Sequence, residues 1–180
     1  PPGRCKRGQA VVAGSTTPSG ATVRDFGQNL VGRLRVTVSV PTGTKITLRH
    51  AEVLEHGEIC TRPLGRAAAT DVFVLAGASD GAGTETFEPQ FTFHGFRYVE
   101  ITGYPGDLQL DDVEILVLGP HVEQVGTFDC SEPDVVTLHE NIMRTIRNNL
   151  VGAPTDCPQR DERLGWMGDL NIISSTAIFG

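Results

Sequence analysis

The run Arg33-Leu34-Arg35-Val36-Thr37-Val38-Ser39-Val40 alternates polar and apolar side chains over eight consecutive positions. A backbone with a side-chain period of two places Leu34, Val36, Val38 and Val40 on one face and Arg33, Arg35, Thr37 and Ser39 on the other, so the run is a strand with a core face and a water face. Pro41-Thr42-Gly43 turns the chain, and Ile46 and Leu48 begin a return strand. Farther out, Val72 to Leu75 read as a short apolar strand and Gly77 to Gly83 as a loop, and Val113, Ile115 and Val117 alternate again. Phe91, Phe93 and Tyr98, with Val99 and Ile101, supply large side chains for a core. Short strands separated by turn residues predict an antiparallel β-sandwich over residues 22–120.

The flanks read differently. Residues 1–21, with Lys6, Arg7 and the tract Gly14-Ser15-Thr16-Thr17-Pro18-Ser19-Gly20, hold neither period for long and predict a linker or loop-rich lead-in. Beyond Pro120 the pattern becomes helical. Ser131-Glu132-Pro133-Asp134 has a capping hydroxyl, a proline for the first turn and acids that complement the helix dipole. Val135, Leu138, Ile142, Ile146 and Leu150 then recur at helical spacing until Gly152 and Pro154 stop the helix. A second helix opens at Leu170 and includes Ile173, Ile178 and Phe179, with Asp169 near its N-terminus. One or two helices cannot bury their apolar faces alone, so residues 121–180 are expected to open a helical domain that extends beyond Gly180.

Bulk properties restrict the function classes. A hydrophobic fraction of 39%, a mean hydropathy of -0.10 and no apolar run of membrane-spanning length describe a globular chain with no membrane partner expected. The net charge of -7 argues against a nucleic-acid partner and suits a neutral substrate better. Cys5, Cys60, Cys130 and Cys157 lack the close spacing of a zinc site or a redox pair, and the even count leaves disulfides and compartment open. The chain begins Pro1-Pro2-Gly3 without methionine or an apolar signal core, so the natural N-terminus is expected to lie elsewhere.

Between the two helical patterns, Pro154-Thr155-Asp156-Cys157-Pro158-Gln159-Arg160-Asp161-Glu162-Arg163-Leu164-Gly165-Trp166-Met167-Gly168-Asp169 contains four carboxylates, two arginines and the sole tryptophan. Its prolines favour a shaped loop. Two nearby carboxylates do not both ionise cheaply, and one against an indole loses water, which suits a general acid near neutrality. Trp166 offers a flat face to the C–H side of a sugar ring, and Arg160 and Arg163 offer forked donors to carboxylates or hydroxyls. A solvated, salt-bridged surface loop has the same composition. By this reading Asp161 and Glu162 both qualify as the acid. Cys157 reads as a buried structural thiol, since no histidine lies nearby to activate it. His50 with Glu52, and His94 with Arg97 and Glu100, lack further ligands at characteristic spacing, so no metal is expected there.

The run from Asp156 to Trp166, closed by Gly168-Asp169, resembles the active-site signature of the α-L-rhamnosidases of glycoside hydrolase family 78. Asp25-Phe26-Gly27-Gln28-Asn29, Leu48-Arg49-His50-Ala51-Glu52-Val53-Leu54 and the segment from Phe91 to Glu100 are similar to parts of the β-sandwich preceding the catalytic barrel in that family. The matches extend over residues 22–180. The resemblance implies a concanavalin-like or jelly-roll-like sandwich over 22–120, followed over 121–180 by the first helices of an (α/α) six-hairpin barrel. It implies hydrolysis of terminal α-L-rhamnosyl groups with inversion and without a cofactor, the partner being a rhamnose-containing glycoside or polysaccharide. Glu162 matches the family's general acid. Asp156 and Asp169 match carboxylates that hold sugar hydroxyls and raise the acid's pKa. Arg160 and Trp166 match pocket-lining residues, and Asp161 lies beside the acid in the same substrate-binding loop. Met167 stands where a small polar residue is common, and no position among these 180 residues matches the water-activating base. A different class, a carbohydrate-binding sandwich with a non-catalytic helical tail, also fits the composition.

Overall fold

The computed structural model describes residues 4–76, 84–106, 108–120, 122 and 126–179, without the side chains of 4–9 and 179. The loop expected at 77–83 lies outside the described residues. Ten strands come first: β1 (Arg4–Ala10), β2 (Ala13–Thr16), β3 (Thr22–Val38), β4 (Lys45–Ala51), β5 (Val53–Glu55), β6 (Glu58–Cys60), β7 (Thr70–Val74), β8 (Glu85–Phe87), β9 (His94–Thr102) and β10 (Val113–Gly119). Helix α1 (Pro133–Asn148), the short strands β11 (Leu150–Val151) and β12 (Ala153–Pro154), and helix α2 (Met167–Phe179) follow. The chain divides into two compact units, one built on Lys6–Val117 together with Gln159–Asp161, the other on Leu118–Pro158 and Glu162–Gly180.

In the strand unit the hydrogen-bonded order is β1-β10-β3-β9-β4-β7, with β2 and β8 also pairing with β3. The long strand β3 serves two neighbourhoods. Its first part, Thr22–Asp25, lies between β2 and β9, and its last part pairs with β10 through Leu34↔Ile115 and Val36↔Val113 and with β8 through Val36↔Phe87. The pairing with β9 is interrupted between Asp25 and Leu30, where β3 advances from 25 to 30 while β9 moves only from 98 to 96. Excess residues on one strand bend it and increase its twist. Gly27 takes φ +80°, a value that disfavours any side chain, and its N–H donates to Asp25 Oδ1 at 2.7 Å. Arg97 on β9 grips both oxygens of Asp25, at 2.8 and 2.9 Å. The bend turns Phe26 fully inward, edge-on to the buried Phe96 with ring centroids 5.7 Å apart.

The alternation over 33–40 is realised. Leu34, Val36 and Val38 are buried, and Val40 packs against the same core as Ile46, Leu48, Val99, Ile101, Val113 and Ile115. On the opposite face Arg33 and Arg35 share Glu88, with N–O distances of 2.6 and 3.0 Å, and Arg35 also meets Glu114 at 2.7 Å. β7 alternates too, burying Phe73 while exposing Val72 and Val74, because one face only meets the core.

Three expectations require correction. Residues 4–16 hold strands β1 and β2, not a loop-rich lead-in. β2 pairs Ala13–Thr16 with Thr22–Asp25, and the hairpin is closed where Thr17 N–H donates to the Ala21 carbonyl at 2.8 Å. Backbone pairing supports this Gly/Ser/Thr-rich strand without any hydrophobic period. Phe91 is fully exposed at φ +61°, and the aromatic centre of the core is Phe26 with Phe96. Helix α1 starts with Pro133 in its first turn, but its N-cap is Glu132, without a side-chain cap, one residue after the predicted Ser131. Its apolar stripe is covered at Met143 and Ile146 and exposed at Val135, Leu138 and Ile142.

Phe26→Ala should cost about 3–5 kcal/mol of unfolding free energy in urea titrations, the usual penalty for emptying a buried aromatic site. Arg97 holds the Asp25 carboxyl below its usual pKa. A depressed carboxylate contributes stability that is present above its unfolded pKa, 3.8, and is lost as pH falls through the folded value. The stability gap between the parent protein and Asp25→Asn should therefore close between neutral pH and pH values below 3.8. A gap that stays constant with pH would contradict this account.

Candidate active site

The carboxylate loop is launched from the end of α1. Asn149 accepts the Thr155 N–H at 2.9 Å, and the β11–β12 hairpin pairs Leu150 with Pro154 around Gly152, whose φ of +82° suits glycine. The loop is then closed on itself by two bonds: Asp156 N–H donates to the Leu164 carbonyl at 3.2 Å, and Leu164 N–H donates to Asp156 Oδ1 at 2.9 Å. The Cys157 thiol donates to Asp156 Oδ2 at 3.1 Å, and Arg163 Nη2 donates to the Pro158 carbonyl at 2.7 Å. Cys157 is at least half-buried and is tied to a carboxylate.

Partial burial alone would raise the Asp156 pKa. The Cys157 thiol and the Leu164 N–H outweigh it and hold the group below the ordinary carboxylate value. Half-buried Glu162 approaches this anion: a carboxylate oxygen of each, with Cys157 Sγ, lie within 4.8 Å of one another.

Beside them is a cleft of about 380 Å³, lined by Asp156, Trp166 and Asp169 and walled by Ile146, Leu150 and Leu170. Trp166 is 47% exposed, so an indole face remains accessible. Asp169 sits in the first turn of α2, where a carboxylate complements the dipole. The structure thus brings Asp156, Trp166 and Asp169 to one cleft, with Glu162 next to Asp156. Arg160 and Asp161 do not line it. Arg160 is exposed. Asp161 is ion-paired with Arg66, Nε to Oδ2 2.9 Å, and this bond lowers its pKa. Its Oδ1 would lie 2.4 Å from a Cβ placed on Gly65, whose φ of +62° itself disfavours a side chain. Thr145, Asn149 and Thr155 also line the cleft, unnoticed in the sequence because ordinary helix-end residues carry no distinguishing pattern.

A second polar cluster lies in the strand unit, where His50, Asp71 and His94 bring ligand-type atoms within 4.8 Å of one another. Sequence reasoning considered the two histidines separately and missed Asp71, which pairing of β4 with β7 brings beside them.

Residues 15–119 match the bacterial α-L-rhamnosidase concanavalin-like domain, and residues 123–180 match the bacterial α-L-rhamnosidase six-hairpin glycosidase domain. The chain belongs to the α-L-rhamnosidases of glycoside hydrolase family 78. An α-L-rhamnosidase of Streptomyces avermitilis is 47% identical over 161 residues, which is 89% of this chain and 15% of that protein. An Alteromonas α-L-rhamnosidase is 39% identical over 157 residues, or 86% of this chain and 17% of that protein. Among solved structures, the native α-L-rhamnosidase of Aspergillus terreus superimposes with a TM-score of 0.91 at 47% identity, over 99% of this chain and 20% of its own. The Streptomyces avermitilis enzyme complexed with L-rhamnose gives 0.90 at 44% identity, over 98% and 17%. The chain spans about 15–17% of the length of the curated α-L-rhamnosidases it matches. Its fold is that of the family: an antiparallel sandwich followed by the opening helices of the six-hairpin domain.

If the Asp156 carboxylate closes the loop, Asp156→Ala should speed amide exchange at Leu164 by about tenfold or more, the scale of a lost charge-assisted bond. NMR hydrogen exchange checks this. Unchanged protection at Leu164 would show that the loop is held by other contacts.

Proposed function

We propose that this chain takes part in hydrolysis of terminal α-L-rhamnosyl groups and supplies the general-acid half of an inverting site. Family membership supports the substrate class, and one relative was crystallised with L-rhamnose. The observation that carries the acid assignment is the approach of Glu162 to Asp156 within 4.8 Å, beside the cleft lined by Trp166 and Asp169. In this reading Glu162, beside the Asp156 carboxylate and next to the cleft, would deliver a proton to the glycosidic oxygen. Asp156 and Asp169 would accept bonds from sugar hydroxyls and Trp166 would pack on the C–H face of the ring; Arg160 is proposed as a substrate-binding residue on the resemblance alone. Asp161, expected among the substrate-binding residues of the loop, has its carboxylate engaged by Arg66. In an inverting reaction a second carboxylate, about 6.5–9.5 Å away, activates water on the opposite face. No residue of this chain is assigned that role.

In the enzyme carrying this chain, Glu162→Gln should reduce rhamnose release from a rhamnosyl-glucose disaccharide by about 10²–10⁴-fold. The loss should be smaller on a nitrophenyl rhamnoside, whose leaving group departs without a proton. An undiminished rate on the disaccharide would overturn the assignment of the acid.

A further inference from the structure

We propose that His50, Asp71 and His94 form a binding site for a divalent transition-metal cation, zinc by ligand chemistry, held between the two imidazole Nε2 atoms and the Asp71 carboxylate. The residues come from neighbouring strands β4, β7 and β9 of the strand unit.

The first support is the protonation pattern that the hydrogen bonds impose. His50 Nδ1 lies 2.9 Å from the Ala69 carbonyl oxygen, which only accepts, so this nitrogen carries the proton. In a neutral ring Nε2 is then a bare lone pair. That Nε2 is fully buried and has no hydrogen-bond partner. It faces Asp71 Oδ2 at 3.8 Å. Two acceptors facing each other inside a protein are costly without a cation between them.

The second support is the arrangement of the other ligands. His94 Nε2 lies 3.1 Å from both oxygens of Asp71. Bonds of about 2.0–2.2 Å to nitrogen and oxygen require neighbouring tetrahedral ligand atoms to be roughly 3.3 Å apart, close to the 3.1 and 3.8 Å spacings to the carboxylate. Zinc-binding histidines commonly donate their other N–H to a backbone carbonyl, which fixes the tautomer and aims the lone pair. The Ala69 carbonyl occupies that position for His50, and Ala69 is held at φ +43°, an uncommon conformation for a side-chain-bearing residue. The rings of His50 and His94 are stacked with centroids 4.0 Å apart. Binding would require them to splay enough for both lone pairs to converge, with the His94 proton moving from Nε2 to Nδ1. His94 and Asp71 retain about a tenth of their side-chain exposure, which leaves a route for the ion and a water as fourth ligand. Two imidazoles and one carboxylate suit zinc better than calcium or magnesium, which prefer oxygen.

The test uses the untagged chain, stripped with EDTA, loaded with zinc chloride and desalted, with zinc counted by mass spectrometry. About one zinc per chain is expected in the parent and less than a tenth of that in His94→Gln and Asp71→Asn. The double variant Asp156→Asn/Cys157→Ser should retain its zinc, which separates this site from the thiol and carboxylates of the loop. In the parent, ring ¹⁵N shifts of His50 and His94 should move on zinc addition, a readout independent of whether any variant folds. Absence of stoichiometric zinc, zinc lost only with the loop variant, or unmoved ring shifts would each overturn the proposal.

Discussion

The bend in β3 between Asp25 and Leu30 is the constraint on which the sheet arrangement depends. A single strand of 17 residues pairs with β2 and β9 in its first part and with β8 and β10 in its last. It can do so because it carries more residues than β9 does across the interruption, and the excess changes its direction. The excess residues are held by chemistry. The Asp25 carboxylate accepts from Gly27 in its own strand and from Arg97 in the next, and Phe26 enters the core against Phe96. With the bend held, Leu34, Val36 and Val38 from one part of β3 and Ile46, Leu48, Val99 and Ile101 from strands along the other join one cluster.

Polar groups away from solvent are handled in contrasting ways in the two units. Asp25 and Glu88 are each matched by arginine forks, so ionisation costs little. Asp156 is held by a thiol and a backbone N–H. His50 represents the opposite solution, since burial removes its charge altogether and leaves a lone pair directed at a carboxylate.

Much of the strand unit was legible in residue order. The period-two run at 33–40, the strands around Ile46–Leu48 and Val113–Val117 and the two helices all appear where local pattern places them. The errors share a cause. Strand β2, Ala13–Thr16, is held by backbone pairing with Thr22–Asp25 and has no hydrophobic period to read. Phe91 was assigned to the core on size, yet its side chain faces solvent while Phe96, five residues later, is enclosed. The α1 stripe was legible as a pattern, but only Met143 and Ile146 are covered. In the loop, Asp156, Trp166 and Asp169, read together from the likeness of the run to a known signature, line one cleft; that Asp161 pairs with Arg66 was invisible because Arg66 is 95 positions distant.

By itself the sequence determined the properties that depend on near neighbours: the alternation that makes strands, the helical spacing after Pro133, the family of the chain and the concentration of carboxylates between two prolines and a tryptophan. Only the tertiary structure decided which side chains meet. The bond between Asp25 and Arg97, the assembly of His50 with Asp71 and His94, and the pairing of Asp161 with Arg66 all join residues through strand register and loop closure. Such contacts are set by how the whole chain packs, and a one-residue change of register would reverse which face each side chain occupies.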